Sequence, residues 1–159
     1  MNSQVSIIMG STSDFPIMED AVKFLKEMEI ACDYYALSAH RTPELVMEFA
    51  TKAKERGIKV IIAGAGGSAH LPGVVAAYTA IPVIGVPIKS SNSMDGWDSV
   101  LSILQMPAGI PVATVALNNA RNAAILASQM IAIGDDNLYA KLLNFKADLK
   151  KKLRTEKAP

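Results

Sequence analysis

The sequence predicts a doubly wound α/β fold, with one parallel five-stranded sheet between two layers of helices and a further helix at the C-terminus. Three observations predict it. Short apolar runs alternate five times with helical patterns. The connections between them are of ordinary length, and the glycines, serines and both histidines collect where strands hand over to helices. Right-handed crossovers follow from that alternation. A length of 159 residues suits a single domain, 1–159, with a real core and a frayed tail over 155–159.

In chain order, Gln4 to Met9 reads as the first strand, and Pro16 stands near the start of a helix, where its missing N–H removes no bond. Ile17, Met18, Ala21, Val22, Leu25 and Met28 follow at helical spacing. Ala31 to Leu37 is a second strand, and Glu44 to Arg56 a second helix stopped by Gly57. Lys59 to Ala63 is the third strand, opening into a glycine-rich loop over Gly64 to His70, with a short helix over Leu71 to Thr79. Pro82 to Val86 makes the fourth strand, Pro87 to Gly96 a long loop, and Trp97 to Gln105 a helix. Pro111 to Ala116 is the fifth strand and Asn122 to Ile133 an alanine-rich helix. Leu138, Leu142, Phe145, Leu149 and Leu153 mark one face of the last helix, and the Lys150 to Lys152 run reads as its solvated side.

Composition narrows the function. A net charge of +1 provides no field for nucleic acid or an anionic membrane. Val60 to Ile88 carries no Asp, Glu, Lys or Arg, but its glycines and prolines cut it into buried strands rather than a membrane span. No basic region precedes a long apolar run at the N-terminus, so no secretory signal is expected. One cysteine, Cys32, excludes an internal disulfide and suits a reducing cytoplasm. Only 19% of residues are charged and 50% are hydrophobic, so part of the surface is expected to be covered by other subunits.

The chemistry is expected at the carboxyl edge of the sheet, where the strand-to-helix loops converge. His40 and Arg41 in Ser38-Ala-His-Arg-Thr-Pro43 place a group that titrates near neutrality beside a planar anion-binding fork. Taken alone, such a pair more often merely decorates a turn before a helix. Gly10-Ser-Thr-Ser-Asp14 lacks the P-loop and dinucleotide patterns, yet offers hydroxyls and N–H groups at a helix start. Asp14 reads as a ligand contact, a helix cap or both. Gly64 to His70 lets the backbone approach a ligand closely, or is simply a turn. His40, His70 and Cys32 have no zinc-like spacing, so no metal is expected.

Taken in order, Gly10 to Asp14, Ser38 to Pro43, Ala63 to Gly73, Pro82 to Pro87, Asp98 to Ser102 and Gln105 to Thr114 closely resemble the class I PurE family of purine biosynthesis over nearly the whole chain. The resemblance implies a flavodoxin-like subunit in a cytoplasmic homo-octamer. It also implies a mutase acting on carboxyaminoimidazole ribonucleotide, which moves a carboxylate from the amino nitrogen to ring carbon 4 without ATP, metal, biotin or another cofactor. Residue by residue, His40 matches the catalytic histidine, and Ser11, Asp14 and Arg41 match substrate-binding residues. Ser13, Ser38, Gly66, His70 and Leu71 are expected to complete the substrate site. Arg41 and the serines would hold the phosphate and Asp14 the ribose hydroxyls.

Two departures stand out. Ser68 replaces a common alanine, and Leu117 to Asn122 looks shortened, with an unexpected Arg121. The rival enzyme is the class II carboxylase, which uses free carbon dioxide, but the Gly-Gly-Ser-Ala-His form points to class I. A non-catalytic nucleotide or flavin binding module of the same fold is the other alternative.

Overall fold

The computed structural model describes residues 2–155, and the side chains of 153–155 lie outside what it describes. Its strands are β1 (Val5–Met9), β2 (Cys32–Ala36), β3 (Val60–Gly66), β4 (Val83–Ile88) and β5 (Ala113–Thr114). Its helices are α1 (Phe15–Glu27), α2 (Pro43–Lys52), α3 (Leu71–Tyr78), α4 (Trp97–Leu104), α5 (Ala120–Ala132) and α6 (Asp136–Thr155). All strands pair in parallel in the order β2-β1-β3-β4-β5, which is the flavodoxin-like order. Thr155 ends α6, and 156–159 lie outside the described residues.

Alternation along each strand builds the two outer layers. Ile7 points into a core with Met18, Phe24 and Leu25 of α1, the alanines of α5, and Leu138 and Leu142 of α6. Ile8 points the opposite way, to Val46 and Phe49 of α2, Leu71 and Val75 of α3, and Ile103 of α4. At the edge, β2 carries exposed Tyr34 and Tyr35. Arg56 braces that edge, donating to Asp33 at 2.7 Å and to the Tyr35 hydroxyl at 2.8 Å. Phe145 of α6 packs edge-on against Phe24 at 5.1 Å, whereas Leu149 is exposed, so the apolar face of α6 is covered only over its first half.

Several boundaries differ from the sequence reading. β3 continues through Gly64, Ala65 and Gly66, because these residues pair with Val86, Pro87 and Ile88 of β4. Three of the seven residues of the expected glycine loop are therefore strand. β4 tolerates Pro87 because that residue faces the β5 side, where its carbonyl accepts from the Asn118 N–H at 2.8 Å and β5 has already ended. α2 stops at Lys52, and the chain reaches Gly57 through a turn, with φ +87° there. α5 starts at Ala120 because the Asn119 side chain accepts the Asn122 N–H at 3.0 Å. No described helix is long and apolar enough to cross a membrane.

Gly85 tests the packing. A β-carbon there would lie 3.0 Å from Val112 Cγ1 and closer still to Ile103 Cγ2, both on stiff β-branched side chains. Gly85→Ala is expected to lower the unfolding free energy by about 1–3 kcal/mol. Urea denaturation would read this as a lower midpoint with an unchanged slope.

Candidate active site

The loops that follow β1, β2, β3 and β4 meet around a cleft of about 610 Å³, within the range of small-molecule sites. The cleft lies over the β1/β3 junction, where the order in which successive strands are added to the sheet reverses. His40, Ser11, Ser13, Asp14, Ser38, Arg41, Gly66, His70 and Leu71 all line it, so the nine residues expected to form the site converge on one place.

Each side chain has a local reason for its position. Ser11 caps the single 3-10 turn over Thr12–Asp14, accepting from the Ser13 N–H at 3.3 Å and the Ser13 hydroxyl at 2.9 Å. Thr42 closes the loop after β2, accepting from the Ser38 N–H at 3.1 Å and donating back to the Ser38 carbonyl at 3.1 Å. Arg41 is steered across to β1: its guanidinium donates to the Gly10 carbonyl at 3.1 Å, and its Nε to Ser38 Oγ at 3.3 Å. The turn from Gly66 is closed by the Ala69 N–H donating to the Gly66 carbonyl at 3.1 Å. Ala69 has φ +41°, and burial of its methyl in the α2/α3 core offsets that unfavourable backbone. The next residue, His70, is thereby aimed at His40.

The two histidines, thirty residues apart, approach to 2.6 Å between His40 Nε2 and His70 Nδ1, with their rings edge to face. One nitrogen must donate and the other accept, so the contact fixes a single shared proton between them.

Asp14 makes no capping bond. Its side chain is buried, 6% exposed, beside Gly10 and the cleft. Burial pushes its carboxyl above the usual range, with the Ser11 N–H pulling partly the other way. The Asp14 carboxyl lines the cleft and makes no bond to the start of α1.

Lys89, Ser90, Ser91 and Asn92 also line the cleft, together with Ile17, Ala65, Ala69 and Ile88. Sequence reasoning placed the Pro87 to Gly96 loop at this edge but singled out none of these residues. The signal was Gly66: a β-carbon there would lie 3.0 Å from the Ile88 carbonyl and run into Ser90. The expected fifth loop contributes nothing to the lining. Arg121 instead pairs with Glu27 at 3.0 Å and lies over the Phe24 ring, 4.9 Å from its centroid. Ser68 is exposed and does not line the cleft.

The raised Asp14 carboxyl sets a pH dependence. A folded-state value above the unfolded one gives stability that is complete below the ordinary 3.8 and declines as pH rises through the folded value. Asp14→Asn is therefore expected to raise Tm by about 2 °C at pH 7, with the gain vanishing in strong acid. Calorimetric melts across that range would check it.

Comparison with known proteins agrees with this geometry. The AIR carboxylase family model matches residues 4–152. N5-carboxyaminoimidazole ribonucleotide mutase of Pyrococcus horikoshii is 55% identical over 154 residues, covering 97% of this chain and 86% of the relative. The mutase of Thermotoga maritima is 52% identical, covering 94% and 87%. The crystal structure of Treponema denticola PurE superposes with a TM-score of 0.85 at 31% identity, covering 94% of this chain and 92% of that one. With that match spanning the whole sheet and all four loops of the cleft, the chain belongs to the AIR carboxylase family, on its class I branch.

Proposed function

We propose that the chain moves a carboxylate within aminoimidazole ribonucleotide, from the exocyclic amino nitrogen to ring carbon 4, with His40 handling the proton. The 2.6 Å contact of His40 with His70, beside the Gly66 backbone, is the observation that carries the assignment of His40. Mutases at 52–55% identity support the reaction itself.

The chemistry follows from what the cleft holds. The N–C bond of the carbamate breaks, carbon dioxide leaves, and the electron pair passes through the nitrogen into the ring, enriching carbon 4. A proton reaches the nitrogen. Carbon 4 attacks the same carbon dioxide, and the tetrahedral carbon then loses its hydrogen to a base, restoring aromaticity. One proton is given to nitrogen and one is taken from carbon, so a single imidazole ends the turnover as it began. His40 fills that role and His70 orients its ring. Ala65, Gly66 and Ala69 offer small, apolar walls against which carbon dioxide can be kept. Arg41, with Ser11, Ser13 and Ser38, holds the phosphate. Asp14 accepts from the ribose hydroxyls, and Gly66 and Leu71 shape the ring pocket.

We further propose a cytoplasmic homo-octamer. Trp97, Leu101 and Leu104 stand exposed along one face of α4, with Met94 just before it, which favours burial between copies. The free thiol of Cys32 suits a reducing compartment.

Turnover of the product, the aminoimidazole ribonucleotide carboxylated on ring carbon 4, in the reverse direction, followed by absorbance without ATP or metal, tests the assignment. His40→Asn is expected to reduce it by about 10³-fold while ligand binding persists. An active variant would move the proton chemistry elsewhere. Light scattering at micromolar protein is expected to give a species eight times the mass of the chain.

A further inference from the structure

The cleft has a cation at each end, and the roles assigned above use only Arg41. The second is Lys89, the residue after β4. Its backbone is fixed from behind: Asn118 Oδ1 accepts the Lys89 N–H at 2.9 Å, and Asn118 itself is held with φ +58°. The Lys89 ammonium is paired with the Asp95 carboxylate, and both groups are exposed. The loop between them is prebuilt. Asp98 accepts from the Ser93 hydroxyl at 2.7 Å and the Met94 N–H at 3.0 Å, and Ser93 Oγ accepts from the Gly96 N–H at 2.8 Å.

We propose that Lys89 anchors the migrating carboxylate of the substrate and that Asp95 is the partner it exchanges. The inference rests on the mutase reading of this same site. Three observations lead to it. First, strand order puts Arg41 above β2 and β1 and Lys89 above β4, with the glycine end of β3 and the histidine pair between. Three strand spacings separate their backbones by roughly 14 Å, a distance two long side chains can close around a ribonucleotide. Second, the donors are unequally divided. A phosphate dianion calls for several donors, and the Arg41 fork with three serine hydroxyls provides them at one end. At the other end Lys89 is a point charge among neutral Ser90, Ser91 and Asn92, sufficient for a monoanion. Third, Lys89 already binds a carboxylate, and an exposed pair of this kind is weak enough to exchange.

When the carboxylate leaves the nitrogen as neutral carbon dioxide, the ammonium loses that partner and returns to Asp95. Lys89 therefore contributes to binding of the two carboxylated species more than to the barrier between them.

The test uses His40→Asn as parent, so that ligands bind without turning over. Calorimetry gives Kd for carboxyaminoimidazole ribonucleotide and for aminoimidazole ribonucleotide, which lacks the carboxylate. Adding Lys89→Gln is expected to weaken the carboxylated ligand by about tenfold or more, and the other by less than about twofold. Adding Asp95→Asn is expected to tighten the carboxylated ligand by about two- to fivefold. In the otherwise wild-type enzyme, Lys89→Gln should raise KM and leave kcat within about threefold. Equal weakening of both ligands, or of neither, would overturn the assignment of Lys89 alone. A parent that binds neither ligand would remove the mutase reading together with it.

Discussion

At Gly64 and Gly66, near the end of β3, there is no room for side chains, and the cleft depends on that. A β-carbon on Gly64 would lie 2.9 Å from Met18 Cε and 3.0 Å from Ile88 Cδ1, and one on Gly66 would press on the Ile88 carbonyl and Ser90. Bare backbone there lets α1 close in from one layer and the loop after β4 from beside it. β3 is also the central strand, with β1 and β4 as its neighbours. Its terminus thus lies between the loops after β1 and β4, with the loop after β2 one strand farther out. A bulkier strand end would push them apart, and with them His70 from His40.

Around this point the molecule accumulates features that a fold optimised for stability alone would avoid. Among the described residues, three of the four non-glycine positions with left-handed backbone, Ala69, Asp95 and Asn118, flank the cleft or brace its loops. A buried carboxyl, Asp14, has its ionisation opposed by its surroundings. Such strain persists because packing around it over-determines the geometry: the Ala69 methyl in the core, Asn118 bonded to both Pro87 and Lys89. The result is a cleft whose wall at the end of β3, formed by Ala65, Gly66 and Ala69, is small and uncharged. That suits chemistry whose intermediate is a neutral gas that must be kept in place rather than bound by charge.

Much of this was legible in the sequence. Strand and helix order could be read because each strand is a short apolar run bounded by glycine or proline. The nine candidate residues could be expected at one edge because a parallel sheet sends its strand-to-helix loops there, and the family resemblance picked them out within those loops. Boundaries failed where pairing overrode local signals: Gly64 to Gly66 read as loop, but β4 recruits them into strand. The Asp14 ambiguity between cap and ligand narrowed only in three dimensions, where Asp14 stands at the start of α1 but makes no capping bond. Lys89 was invisible because nothing local distinguishes it from any lysine in a polar loop. Arg121, unexpected in sequence, is explained by Glu27 and the Phe24 ring, partners distant in the chain.

The central claim is that carbon dioxide never leaves the cleft between the nitrogen and carbon 4. Freshly prepared carboxyaminoimidazole ribonucleotide, carrying an isotopic label in its carbamate carbon, would be turned over with excess unlabelled bicarbonate present. The account predicts that nuclear magnetic resonance finds the label retained in the carboxylate on carbon 4. Label diluted to the level of the bicarbonate pool would contradict it, and would mean that the enzyme recarboxylates from free carbon dioxide.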